Sequence, residues 1–143
     1  MLIDSNVLAI ETKAALIKFG IKEVEVIGDY NVVSKSVEDE LKSMGITVTR
    51  IYGSKGLGAS IEAAGKFFPD SQKAITASGF ADALAAVPLA AKMDAPIIFV
   101  DQKSLSSEVS SCVTNFNINS ITMVGGDSSE GQMAKDQLVK LAK

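Results

Sequence analysis

Residues 74–100 read AITASGFADALAAVPLAAKMDAPIIFV. A short apolar run, Ala74–Ala77, breaks at Ser78-Gly79. An Ala-rich segment follows, with Phe80, Leu84, Val87 and Ala91 at helical spacing. Asp94-Ala95-Pro96 then leads into a second apolar run, Ile97–Val100. The pattern is strand, helix, strand, with strands short enough to be buried on both faces. With Gly79 as N-cap, Asp82 falls at the third helical position. Its charge there favours the helix N-terminus and can reach back to exposed backbone N–H groups. That role alone explains an Asp at this place. Pro88 removes an N–H that would meet the carbonyl of Leu84, so a kink is expected. The residue before Pro96 disfavours the α region, which stops the helix. Ala83, Ala85, Ala86 and Ala90 keep the remaining faces slim. A helix apolar nearly all round is expected to be buried or to lie at an interface between modules.

The same beat runs along the whole chain. Further strand candidates are Leu2-Ile3, Val24–Ile27, Val48–Ile51 and Ile121–Val124. Between them lie helical stripes: Leu8, Thr12, Leu16 and Phe19; Val37, Leu41 and Met44, opened by Ser34 as N-cap; Ile61, Ala64, Gly65 and Phe68; and Ala134, Leu138 and Leu141. Gly20, Gly45 and Asn117 stand where helices should stop. Alternation of strand and helix with short loops implies a parallel sheet covered by helices. The expected fold is α/β: a three-layer Rossmann-like domain with a parallel five- to six-stranded sheet and helices on both faces.

Composition narrows the function. A chain of 143 residues fits one domain, and 47% hydrophobic residues can build a core. No apolar run approaches the roughly 20 residues of a membrane helix. The opening MLIDSNV lacks the basic-then-apolar layout of a signal peptide. A net charge of −3 argues against a general nucleic-acid surface. Histidine is absent, which removes the commonest acid–base group and metal ligand. The single Cys112 excludes disulfides and zinc sites of the CxxC kind, and its helical spacing with Leu105, Val109 and Phe116 makes it a core thiol.

Moving the chain by 97 residues lays its start over its end. LIDSNVLAIETKAALIKFGIKEVEVIG falls on FVDQKSLSSEVSSCVTNFNINSITMVG. Asp4 meets Asp101, Leu8 meets Leu105, Phe19 meets Phe116, Ile21 meets Ile118, Gly28 meets Gly125 and Leu41 meets Leu138. Strand meets strand and stripe meets stripe without a gap, the mark of an internal repeat. Residues 1–143 therefore read as one α/β domain of about one and a half repeats, with 1–46 the end of one repeat and 47–143 a full one.

SGFADALAAVPLAAKMDAPIIFVD, followed by INSITMVGGDSS, resembles the cell wall binding repeat of the second type, a module of Gram-positive surface proteins. Arg50 and Gly53 match its Arg-x-x-Gly stretch. Phe80, Asp82, Ala83 and Leu84 match its helix, Pro96 and Ile97 its next strand, and Gly125 and Gly126 its Gly-Gly end. One departure stands out: Lys55, Gly56, Leu57, Gly58 and Ala59 replace the family's Asp-Arg-Tyr-x-Thr loop. Gly28-Asp29 also replaces Gly-Gly. The resemblance implies a non-catalytic anchor that holds an anionic secondary polymer of the cell wall, with tandem copies packed around a pseudo-threefold axis.

An anionic polymer needs positive or neutral donors. Arg50 is the sole arginine, and its fork suits phosphate or carboxylate; a salt bridge at the strand end is the other reading. Ser78, Gly79, Gly125, Gly126 and Ser128 would supply backbone N–H groups and hydroxyls, with Asp82 beside them. Asp4, Asp29, Asp101 and Asp127 all follow strands, where ligands bind in open α/β sheets. They suit either turn and N-cap chemistry or a Mg²⁺ or phosphoryl site. GSKGLGAS has the wrong spacing for a dinucleotide fingerprint, and Ser78 lacks a nucleophile elbow and a base.

The expected function is a non-catalytic cell-wall-binding module that anchors a surface protein through an anionic cell wall polysaccharide. It would work in the cell wall as a piece of a larger secreted protein, without cofactor, metal, nucleic acid or membrane span. Its other partners would be neighbouring repeats, or further copies of itself as a trimer. The alternative is a small-molecule, nucleotide or Mg²⁺-binding α/β enzyme using the strand-end Asp residues.

Overall fold

The computed structural model describes residues 4–53, 57–101, 104–125 and 129–141, with the backbone alone for 129–134. Eleven elements follow one another: α1 (Ile10–Lys18), β1 (Glu23–Ile27), α2 (Lys35–Ser43), β2 (Thr47–Ile51), α3 (Leu57–Phe67), β3 (Lys73–Ala77), α4 (Phe80–Met93), β4 (Ile97–Phe99), α5 (Ser107–Asn115), β5 (Ser120–Val124) and α6 (Ser129–Leu141). Five of the expected strands appear within one residue of their expected ends. The sixth, Leu2-Ile3, lies outside the described residues.

The chain forms two compact units, Met1–Ala59 and Ser60–Lys143. In the first, β1 and β2 pair in parallel, Glu23 opposite Thr47 and Ile27 opposite Ile51. In the second, β3 lies between β4 and β5, parallel to both. Mixed α/β architecture with parallel strands is thus observed. The single sheet of five to six strands is not: among the described residues the sheets have two and three strands. The reason lies in the pairing. β1 has a described neighbour on one side only, β2, and β5 likewise has only β3, so each sheet ends there.

Each unit has its own core. In the first, Leu8, Leu16, Val26, Val33, Val37, Leu41 and Ile46 pack together. In the second, Ala64, Ala74, Ile98, Val100, Val109, Cys112, Val113, Ile118 and Leu138 do so. Each fully buried Val, Leu or Ile contributes about 1.5–3 kcal/mol against exposure. Helix stops fall where read: Gly20, Gly45 and Asn117 follow α1, α2 and α5 with φ of 63°, 77° and 52°. Asp94, also left-handed at φ 50°, ends α4 ahead of Pro96.

Three expectations change. The first concerns α4, which continues through Pro88 and buries its small side, Ala83 and Ala86, while Phe80, Leu84 and Val87 face outward at 70%, 56% and 51% exposure. Small residues let this helix lie close on β3, β4 and β5, so the alanines take the inner face. The second concerns Phe19, placed on a buried stripe by its spacing but 71% exposed beyond the end of α1. The third concerns the stretch that stands where the family has its Asp-Arg-Tyr-x-Thr loop: Leu57, Gly58 and Ala59 form the first turn of α3, while Lys55 and Gly56 lie outside the described residues. A Cβ on Gly53 would stand 2.3 Å from the carbonyl carbon of Gly58, so two glycine backbones touch where α3 starts.

Candidate polymer-binding site

Four of the expected site residues converge at one end of the second unit's sheet. Ser78 and Gly79 follow β3, Gly125 follows β5, and Asp82 sits in the first turn of α4. Gly79 is the N-cap of that helix, with extended backbone, so Asp82 is its third residue. A Cβ built on Gly125 would stand 3.1 Å from Asp82 Oδ2 and 3.6 Å from Ser78 Oγ. Gly125 also has φ 151°, a backbone conformation open to glycine and strained for other residues. The absent side chain thus brings a β5 peptide up to a carboxylate and a hydroxyl at the start of a helix. Gly126 and Ser128 lie outside the described residues.

This cluster offers two kinds of contact. Backbone N–H groups at a helix start, together with a hydroxyl, donate to anionic oxygens. A carboxylate accepts from sugar hydroxyls. Such a mixture suits a polymer carrying both groups.

Arg50 belongs to the first unit, and its guanidinium is engaged there. Nε donates to Glu38 Oε2 at 2.9 Å, and Nη1 donates to the carbonyls of Gly28 and Asp29 at 2.7 and 3.2 Å. Nη2 lies 2.9 Å from the same Oε2, close enough for an ion pair but without hydrogen-bond geometry. The guanidinium also stacks on Tyr30, 4.2 Å from the ring centre. Its side chain is 7% exposed. These contacts are those of the strand-end salt bridge, and they clamp the turn after β1 against β2 and α2.

Sequence reasoning missed Glu38 and Tyr30 in this arrangement. Glu38 is buried beside Val37 and Leu41 on α2 and also accepts from Lys42 Nζ at 2.6 Å. The Lys42 ammonium and the Arg50 guanidinium together hold its carboxyl below the usual range. The i,i+4 spacing of Glu38 and Lys42 was visible in sequence. The pairing with Arg50 needs the β2–α2 packing.

Two of the strand-end aspartates, Asp29 and Asp4, make turn contacts. Asp29 Oδ1 accepts from the amides of Asn31 and Val32 at 2.9 and 3.1 Å, and these bonds lower its carboxyl from the ordinary value. Asp4 Oδ1 accepts from Asn6 N at 2.9 Å. Asp101 is exposed, and Asp127 lies outside the described residues. Among the described residues no group of three or more His, Cys, Asp or Glu could hold a metal ion, and no helix is long and apolar enough to cross a membrane.

The family described as cell wall binding domain 2 (CWB2) matches residues 50–132, more than half of the chain. The chain belongs to the CWB2 family. It is a cell-wall-binding module, and the cell wall is its place of work. The matched stretch contains every expected site residue from Arg50 to Ser128. This CWB2 chain is 35% identical over 128 residues to the N-acetylmuramoyl-L-alanine amidase LytC of Bacillus subtilis, covering 88% of the chain and 26% of LytC. It is 32% identical to an uncharacterized protein of Pyrococcus abyssi, covering 80% of the chain and 36% of that protein. Among solved structures it resembles Cwp6 of Clostridium difficile, with TM-score 0.82 and 27% identity over 93% of the chain and 22% of Cwp6. It also resembles Cwp8 of the same organism, with TM-score 0.77 and 25% identity over 92% of the chain and 23% of Cwp8. The chain thus spans about a quarter of LytC and of the two Cwp proteins.

Proposed function

We propose that this CWB2 chain is a non-catalytic anchor that holds an anionic cell wall polysaccharide at the end of β3 and β5. The observation that carries this is the convergence of Ser78, Gly79, Asp82 and Gly125 around a missing side chain. Helix-start amides and the Ser78 hydroxyl bind the polymer's charged groups, and Asp82 takes sugar hydroxyls. Gly126 and Ser128, next along the chain, extend the donor set. Arg50 supports the module by holding the β1 turn, since its guanidinium already bonds Glu38 and two carbonyls. The chain has no histidine to activate Ser78, and its likeness to LytC covers only a quarter of that amidase. Wall attachment, with chemistry left to other regions of such proteins, is the consistent reading.

We further infer that residues 1–46 end one repeat and residues 47–143 form a full one. Adding the 97-residue shift to the bounds of α1 gives the bounds of α5, and β1 likewise gives β5. Gly20 and Asn117 are equivalent and both left-handed, and Gly28 and Gly125 both have positive φ. Ile21 N bonds Leu16 O as Ile118 N bonds Val113 O, each at 3.0 Å. In the second unit α4 touches β3, β4 and β5, while α3, α5 and α6 supply the core cluster with Ala74 and Ile98. That arrangement supports a three-layer Rossmann-like reading. The outward face of α4, Phe80, Leu84 and Val87, is the proposed contact with other repeats or with two further copies in a trimer.

Sedimentation with purified Gram-positive cell walls tests the anchor. The chain should pellet with intact walls and stay in solution with walls stripped of their anionic secondary polymer. Equal pelleting with both would refute the polymer reading.

A further inference from the structure

The chain has two tyrosines, Tyr30 and Tyr52, and no tryptophan. Both tyrosines belong to the first unit, and both stand in solvent, at 52% and 58% exposure. The fold brings them off neighbouring strand ends. Tyr52 directly follows β2, and Tyr30 sits in the turn after β1. Gly28 N donates to the carbonyl of Ile51 at 2.8 Å, so the start of that turn lies against the end of β2.

The Tyr30 ring is backed on one side. The Arg50 guanidinium lies 4.2 Å from its centre and covers one face. That guanidinium is itself held in place by Glu38 and by the carbonyls of Gly28 and Asp29. The backbone that carries the ring is fixed as well. Asp29 Oδ1 accepts from the amides of Asn31 and Val32, and the Asp29 carbonyl accepts from those of Val32 and Val33. A half-exposed ring with one face backed and its turn pinned is a preformed flat surface. A ligand that lands on it has little left to order.

The chemistry here favours an uncharged sugar over an anionic group. The Arg50 charge is already paired with Glu38, and the turn contributes the Asp29 carboxylate, which repels anions. A tyrosine ring presents an apolar face and a polar tip. These match the C–H face and the hydroxyls of a pyranose ring.

We propose that Tyr30, with Tyr52 beside it, forms a second saccharide subsite, which stacks a neutral pyranose ring of the wall polymer on the open face of Tyr30. The inference rests on the anchor reading above. The subsite is separate from the cluster of Ser78, Gly79, Asp82 and Gly125, which belongs to the second unit.

With two tyrosines at the subsite and no tryptophan, the tyrosine emission of the chain comes from this place alone. The chain is titrated with purified anionic secondary wall polymer and followed by tyrosine emission and by calorimetry. Emission should change saturably, with the midpoint of the calorimetric curve. Tyr30→Ala should bind about fivefold more weakly, and Tyr30→Phe, which keeps the ring, should bind as the unaltered chain does. Tyr52→Ala, which leaves the Arg50 stack in place, should weaken binding in the same sense. Calorimetric binding with unchanged emission, or equal binding by both alanine variants, would overturn the subsite while sparing the anchor. Absence of binding in both readouts would overturn both. Emission that changes with chain concentration in the absence of polymer would make these tyrosines a contact between copies and also overturn the proposal.

Discussion

Arg50 and Glu38 form the main charged contact of the first unit. Both side chains are less than a tenth exposed; Glu38 neutralises Arg50, and Lys42 shares with Arg50 the neutralisation of Glu38. Removing one partner of a buried pair leaves an uncompensated charge. Lys42 remains beside Glu38, so Arg50→Met should cost about 3 kcal/mol, at the low end for buried pairs, measured by urea unfolding. The pH dependence has a definite sign. Glu38 titrates below its ordinary 4.5 in the fold, so its contribution is complete above that pH and disappears as pH falls through the lowered value. Glu38→Gln should flatten the stability profile below about pH 4.5. In the second unit, the Thr76 hydroxyl is buried in the central strand without a hydrogen-bond partner among the described residues. Thr76→Val should therefore stabilise by about 1 kcal/mol in the same unfolding assay. At this scale the sequence was uneven. Asp82 could be placed three residues after Gly79 by helix-start chemistry alone. Arg50 could be read as paired or as a ligand donor, but with 17 acidic residues available, its partner depends on tertiary packing. Cys112, placed in the core by its helical spacing, is buried, and burial pushes its thiol up to about 11.

Elements were the most legible level. β-branched runs bounded by Gly, Asp or Pro marked β1 to β5, and left-handed Gly20, Gly45 and Asn117 ended their helices. What periodicity could not give was the orientation of α4. A helix apolar on every side has no amphipathic stripe to orient it, and the close fit of alanines to the sheet decided the matter. Phe80, Leu84 and Val87 are left as a solvent-facing apolar face. If this face joins repeats or copies, Leu84→Asp should remove concentration-dependent association in light scattering. Thermal stability should change little, since Leu84 is 56% exposed. Association that persists in this variant would place the contact elsewhere.

At the scale of the whole molecule, pattern and pairing part company. The sequence carries the βα alternation and the 97-residue self-match on which the proposed repeat rests. It does not say which strands share a sheet, because parallel pairing depends on long-range packing. Hence one sheet was expected where two are found among the described residues. The candidate site is legible in sequence as a set of small and polar residues after strands, and the fold brings Gly125 beside Asp82 and Ser78. The central claim is that this cluster holds an anionic wall polymer. The most direct measurement is calorimetric titration of the chain with purified anionic secondary wall polymer, repeated with Asp82→Ala and Ser78→Ala. Saturable binding that weakens roughly tenfold or more in each variant is the predicted result. Absence of binding by the chain, or equal binding by chain and variants, would contradict it.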